Sequence, residues 1–223
     1  MRMVVTAGPS YEPLDNVRRL TNFSTGRLGT DLANFLTARG HRVTLLIGEH
    51  ATWHGERHAA RQEVFSTTAD LSARLQAIAK EKIDAVFHAA AVSDFAFGKI
   101  WLRSPGGEMT QLKSGKISTR QGTLLAELEP TPKLISELRR WYPTARLVGW
   151  KFEVDGNRAD VIQLAQKQIA ECKTDATVAN GPAYGEGFGL VQARGKAEHL
   201  PDTAHLFDAL EKLAMGGSVI SNQ

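Results

Sequence analysis

The chain has one cysteine, Cys172, in 223 residues, which excludes an intrachain disulfide and any zinc site built from several thiolates. Cys172 falls on the apolar side of a predicted helix and reads as a small buried hydrophobe, since no Cys–His pairing marks it as a nucleophile. No apolar run approaches the roughly 20 residues that cross a bilayer. Met1-Arg2-Met3-Val4-Val5 enters a strand with no signal-peptide cleavage pattern, so a cytoplasmic protein with no membrane partner is expected. Repeats and low-complexity tracts are absent. The formal charge of +3 suits anionic small molecules as well as nucleic acid, but the 27 Lys and Arg residues are scattered, and nucleic acid is not an expected partner.

What is present is an alternation. Met3 to Ala7, Arg42 to Ile47, Ala85 to Val92 and Arg146 to Phe152 are short apolar runs of the kind found in parallel strands covered on both faces. Helical patterns lie between them. Thr30 to Ala38 ends at Gly40. A second helix carries Leu71, Leu75 and Ile78 behind Thr68 or Asp70, and a third is expected to start with Thr131 as N-cap and Pro132 at its first position. Asn157 precedes a fourth helix, strand-like Ala176 to Ala179 and Gly189 to Gln192 follow, and a last helix runs from Ala204 to Met215. The order predicts one α/β domain over residues 1–223, Rossmann-like and doubly wound, with a mostly parallel sheet. Phe95 to Leu128 breaks the rhythm, has short β-like pieces, and is expected to form a projecting β-flap.

The opening stretch "TAGPSYEPLDNVRRLTNFSTGRLGTDLA" resembles a dinucleotide-binding turn with one departure. Gly26 and Gly29 open a helix, but a long insertion separates them from the strand that ends at Ala7-Gly8, where a Rossmann fingerprint leaves only a few residues. Glycines there let a backbone approach a ligand, and the helix N-terminus offers N–H groups to an anion. In "HAAAVSDF", small Ala89 and Ala90 let a ligand lie at a strand end, and Asp94 just beyond can accept hydrogen bonds or hold a metal. His50, His54 and His58 are spaced four apart, as metal ligands on a helix would be, but Gly55 interrupts them and the region reads as loop. No metal ligand set is therefore assigned.

Taken in order, that opening stretch, "AAAVSDF", a flap lysine in "GKI", "VGWKFE" and "ATVAN" resemble phosphopantothenoylcysteine synthetase, the phosphopantothenate–cysteine ligase of coenzyme A biosynthesis. The resemblance covers nearly the whole chain. It implies a Rossmann-like homodimer that activates phosphopantothenate with CTP or ATP and Mg²⁺. L-cysteine then attacks the acyl-nucleotide. Because the chain is too short for an added flavin-dependent decarboxylase, it resembles the stand-alone form.

The resemblance also implies roles for individual residues. Asn22 and Lys116 would be catalytic, the first bonding the acyl phosphate and the second acting on the activated carboxyl. Gly8, Ala89, Ala90, Asp94, Thr131, Pro132, Lys133, Trp150, Lys167 and Lys173 would bind the nucleotide, with Trp150 stacking on its base and the two later lysines reaching the triphosphate. Ser24, Gly26, Gly29 and Asn180 would bind the acyl substrate. The flap departs from the family's usual Lys-Ile-Lys-Lys: Ser118 and Thr119 replace the later lysines, which makes Lys113 or Lys99 a conceivable substitute for Lys116. Two rivals stand beside the ligase. A nicotinamide-dependent reductase is favoured by Glu49 after Gly48 but lacks the Tyr-x-x-x-Lys pair that such chemistry needs. A non-catalytic nucleotide-binding protein is the other.

Overall fold

The computed structural model describes residues 1–112, 122–193 and 197–216. Strands β1 (Arg2–Ala7), β4 (Arg42–Gly48), β5 (Arg61–Phe65), β6 (Ala85–His88), β10 (Arg146–Phe152), β11 (Ala176–Asn180), β12 (Phe188–Gln192) and β13 (Glu198–Leu200) form one sheet. Its order is β13-β12-β11-β10-β6-β1-β4-β5, parallel from β5 to β11, with β12 and β13 antiparallel at one edge. The six parallel strands follow the doubly wound order, whose direction reverses between β1 and β6.

Alternation along β1 sorts the core. Met3, Val5 and Ala7 face the cluster made with helices α1 (Arg27–Ala38) and α5 (Thr203–Ala214), while Val4 joins the opposite cluster with α2 (Thr68–Ile78) and α3 (Leu134–Trp141). Helix α4 (Arg158–Cys172) covers the second face through Val161, Ala165 and Ile169. Cys172 closes that helix buried and reduced, as its apolar position predicted.

Two segments leave the sheet. The insertion after β1 forms a hairpin of β2 (Tyr11–Pro13) and β3 (Arg19–Thr21), and the flap is a three-stranded antiparallel sheet of β7 (Phe95–Arg103), β8 (Met109–Leu112) and β9 (Thr123–Pro130). The flap thus runs to Pro130, past the expected Leu128, with longer strands than the β-like pieces suggested. Its order is β8-β7-β9, with register from Phe95↔Pro130 to Arg103↔Thr123.

Three boundaries differ from expectation. α1 begins at Arg27, a turn before Thr30, because Gly26 adopts φ 79° and opens the helix without a side-chain cap. β6 ends at His88 rather than Val92. Gly8 turns to φ 77° and Pro9 has no N–H, so the ladder with β1 breaks and resumes only as the Pro9↔Ala91 bridge. Helix α3 starts at Leu134 behind Lys133 and not at Pro132 behind Thr131. The Thr131 hydroxyl donates to the Ser93 carbonyl and its N–H donates to the Asp94 carbonyl, so this residue is committed to the β6 loop and does not cap the helix.

Candidate active site at the switch point

In doubly wound sheets ligands bind at the carboxyl ends of strands where the order reverses, here beyond β1 and β6. Gly8, Ala89, Ala90 and Ala91 lie there. Backbone bonds stitch the two chain segments together: Ala89 N–H to the Thr6 carbonyl (3.2 Å), Ala91 N–H to the Gly8 carbonyl (3.0 Å) and Ser10 N–H to the Ala91 carbonyl (3.1 Å). The hairpin closes over this seam. The Asn22 side-chain amide donates to the Ala91 carbonyl at 3.0 Å, which fixes the orientation of an exposed side chain. One bond thus brings the insertion and the strand end into the same place.

The hairpin is held by buried polar groups. The Glu12 carboxylate, 8% exposed, accepts the Thr68 N–H at 2.9 Å, a favourable place for negative charge at the start of α2. The Ser10 hydroxyl accepts the Ser93 N–H at 2.8 Å and lies 3.3 Å from the Thr68 hydroxyl, and the Thr21 hydroxyl donates to the Ser10 carbonyl. Through Ser93 the chain of bonds reaches Thr131 and the carbonyl of exposed Asp94. Asn22, Asp94 and Thr131 therefore belong to one connected framework, and Pro132 and Lys133 follow directly from it. A cleft of about 770 Å³ lies beside Glu12, Thr131 and Pro132, between α2 and the foot of the flap.

The glycines have a packing role. A Cβ on Gly8 or on Gly26 would come within 2.9 Å of the Ala51 methyl, and one on Gly29 within 2.6 Å of the Ala7 methyl. Gly29 therefore lets α1 lie close on β1, while Ala51, from the loop after β4, fills space against the glycine turn. Ser24 is half-buried in the segment between the hairpin and Gly26.

On the α1 face, Trp150 packs against the core beside β11, with register Trp150↔Val178 and Phe152↔Asn180. The buried Trp150 indole nitrogen and Asn180 side-chain oxygen have no hydrogen-bond partner among the described residues. A buried donor and acceptor left open at strand ends are costly unless something pairs with them.

The two later lysines lie elsewhere. Lys167 is exposed in the middle of α4 and lies 3.8 Å from Glu171. Lys173 ends α4 at the opposite end of the strands, where β11 begins. Lys116 and Lys113 lie outside the described residues, whereas Lys99 sits on β7 with its N–H bonded to Glu127. Of the three histidines, His50 accepts a hydrogen bond from Arg19 and His58 pairs with Glu56 at 3.3 Å. Among the described residues no three His, Cys, Asp or Glu side chains are grouped to hold a metal.

Sequence reasoning passed over Thr6 and His88. Both are buried polar residues in apolar strands, which was their one visible signal. The Thr6 hydroxyl lies 2.9 Å from His88 Nδ1 and accepts the Ala90 N–H at 3.1 Å. Burial holds His88 neutral, with its pKa lowered to about 4.

The model of the DNA/pantothenate metabolism flavoprotein C-terminal domain matches residues 1–222. The chain belongs to that family. The resemblance to phosphopantothenoylcysteine synthetase thus holds at the level of the domain. The coenzyme A biosynthesis bifunctional protein CoaBC of Thermococcus kodakarensis is 32% identical over 222 residues, which are 95% of this chain and 51% of that protein. The chain spans about half the length of such curated relatives. The solved DNA/pantothenate metabolism flavoprotein of Streptococcus pneumoniae superposes with a TM-score of 0.84 at 24% identity, covering 97% of this chain and 99% of that one. A Cab2 mutant in complex with phosphopantothenate-cysteine gives 0.71 at 20% identity, covering 96% and 85%. At these identities the two structures speak for the shared fold. In the described residues no helix is long and apolar enough to cross a membrane.

Proposed function

We propose that the protein joins phosphopantothenate to L-cysteine through an acyl-nucleotide made from CTP or ATP. The observation that carries this reading is the bond from Asn22 to the Ala91 carbonyl, which brings the family's hairpin onto the strand end where a nucleotide would lie. In the first step a carboxylate oxygen of phosphopantothenate attacks the α-phosphorus and pyrophosphate leaves. In the second the cysteine amine attacks the acyl carbon and releases the nucleoside monophosphate. Asn22, with one amide N–H spent on Ala91, keeps its second N–H for the acyl phosphate, whose oxygens only accept. It adds no charge. Ser24, Gly26, Gly29 and Asn180 border the acyl substrate, while Gly8, Ala89, Ala90, Trp150 and the Thr131–Lys133 turn border the nucleotide. Lys116 offsets negative charge on the activated carboxyl.

Mg²⁺ fits the residues present. Carried on a triphosphate, it takes most of its ligands from phosphate and water and needs only one or two carboxylates, for which exposed Asp94 is suitable. When bound, it would neutralise charge on the departing pyrophosphate. We also infer a homodimer, supported by apolar side chains open to solvent around this edge, Phe23 (105% exposed) and Phe152 (62%), and on the flap at Leu128 (51%).

The test is pyrophosphate release with phosphopantothenate and either CTP or ATP, followed by nucleoside monophosphate release on adding cysteine. Tight NADPH binding with no triphosphate-dependent pyrophosphate release would replace the ligase with a reductase. Light scattering that gives a fully active monomer at micromolar concentration would remove the dimer.

A further inference from the structure

The Thr6–His88 pair lies directly behind the Ala89–Ala90 peptide, and neither side chain has a place in the reaction above. Thr6 is fully buried and His88 is 6% exposed. The Thr6 hydroxyl oxygen accepts the Ala90 N–H, so its own hydrogen is available to His88 Nδ1 at 2.9 Å. A neutral imidazole with Nδ1 as acceptor carries its proton on Nε2. The peptide between Ala89 and Ala90 is trans, so fixing the Ala90 N–H toward Thr6 turns the Ala89 carbonyl the opposite way. That peptide lies outside the regular ladder, because β6 ends at His88. Without the hydroxyl it would lose its one described anchor on the Ala90 side.

We propose that Thr6 and His88 act together as positioning residues for the nucleotide, pinning the Ala89–Ala90 peptide so that its carbonyl is presented at the switch point to a hydrogen-bond donor on the nucleotide. This rests on the ligase reading. His88 is suited to the task because burial keeps it neutral, and so an acceptor for Thr6, well below neutral pH. A leucine of similar bulk would fill the space but free the Thr6 hydroxyl to rotate. The bond to Ala90 would then no longer be enforced.

The experiment is calorimetric titration of the full chain with CTP and with ATP, and separately with phosphopantothenate, for five proteins: wild type, His88→Leu, His88→Asn, Thr6→Val and Thr6→Ser. Thermal unfolding is followed for each. His88→Leu and Thr6→Val should each weaken nucleotide binding by about fivefold to tenfold, the factor that goes with losing one enforced hydrogen bond. Phosphopantothenate affinity should stay within about twofold, below the effect of one such bond. His88→Asn and Thr6→Ser keep an acceptor and a hydroxyl and should retain nucleotide affinity. The double variant His88→Leu/Thr6→Val should be no worse than the poorer single one, as two residues acting through one bond require. A folded His88→Leu with wild-type nucleotide affinity overturns the inference, as does parallel weakening of both ligands. If His88→Leu does not fold, the Thr6→Val and Thr6→Ser contrast decides alone, and equal damage from the two overturns the proposal. A wild-type protein that binds neither CTP nor ATP overturns the ligase reading, and this inference with it.

Discussion

The hairpin and the flap both interrupt the strand–helix alternation, and the sheet holds them in different ways. The hairpin is tied down along its length: Tyr11 N–H bonds the Ser66 carbonyl, Glu12 takes the Thr68 N–H, Thr21 bonds Ser10 and Asn22 bonds Ala91. Its turn is closed by Asp15, which accepts the Val17 and Arg18 N–H groups and pairs with the Arg18 guanidinium. The flap has its own ladder and is joined to the sheet at its foot, where Ser93 bonds the Phe95 carbonyl and Thr131 bonds Ser93. Among its described residues only Ile100 is buried. The hairpin's side chains are therefore fixed by bonds to distant segments, whereas the described flap residues are held by their own ladder and by bonds at the foot. In the proposed reaction the first carries the neutral amide and the second the charge.

The sharpest way to break this comparison is to remove the flap's charge. Lys116→Gln should slow single-turnover pyrophosphate release about a hundredfold, roughly 3 kcal/mol of barrier, with cysteine omitted as well as present. A wild-type rate in both conditions would move the role to Lys113 or Lys99. Asn22→Asp comes next. Its carboxylate cannot donate to the Ala91 carbonyl and sets a negative charge beside the acyl phosphate, so both half-reactions should slow by about tenfold or more, the weight of one charged or lost hydrogen bond. An effect on the cysteine step alone would mean that the hairpin serves only the second half.

A third test addresses the sheet behind the hairpin. His88 has a folded pKa of about 4 against 6.5 for the free side chain. As pH falls below 6.5 the unfolded chain takes up the proton first, so the stability due to neutral His88 is complete above that value. It is lost progressively down to about pH 4 and is flat below. The loss is about 3 kcal/mol. Denaturant unfolding of wild type should show this slope, and His88→Leu should lack it. Equal slopes would mean that His88 is not held neutral.

The doubly wound order was legible because the centres of its strands, Met3 to Ala7, Leu45 to Ile47 and Leu147 to Gly149, are buried and leave short, largely apolar runs. β5 was not, because at the edge Arg61, Gln62 and Val64 face solvent and only Phe65 is fully buried. The hairpin was missed because β2 and β3 are three residues each and are held by side-chain bonds to distant residues, which no local pattern records. Thr131 looked like a cap from its neighbours, and its hydroxyl was already taken by Ser93. Ala90 and Asp94 stood out as a small residue and a carboxylate at a strand end, Asn22 only through resemblance, and the connections through Ser10, Glu12 and Ser93 came only with the tertiary structure.

The smallest expected effect separates the two ends of the strands. Lys173 was assigned by resemblance to the triphosphate, yet α4 runs back along the sheet and delivers it to the amino-terminal end of the strands, where β11 starts. Asn180, at the far end of that strand, is four residues beyond Ala176, about 13 Å at the usual rise. Lys173 is also the one non-glycine residue at positive φ among those described, 53°, as the C-cap of α4, with its carbonyl accepting from Arg139 at 3.0 Å. That geometry favours glycine, and the Arg139 bond uses only the backbone. Lys173→Gly should therefore leave nucleotide affinity and pyrophosphate release within about twofold, the effect expected of a charge outside the site. It should raise stability by about 0.5–1 kcal/mol through relief of the left-handed strain. Single-turnover kinetics and urea unfolding on the same preparation read both quantities. A large loss of pyrophosphate release at unchanged stability would show that the ammonium reaches a triphosphate after all, and the site would then extend from the switch point to the other end of the strands.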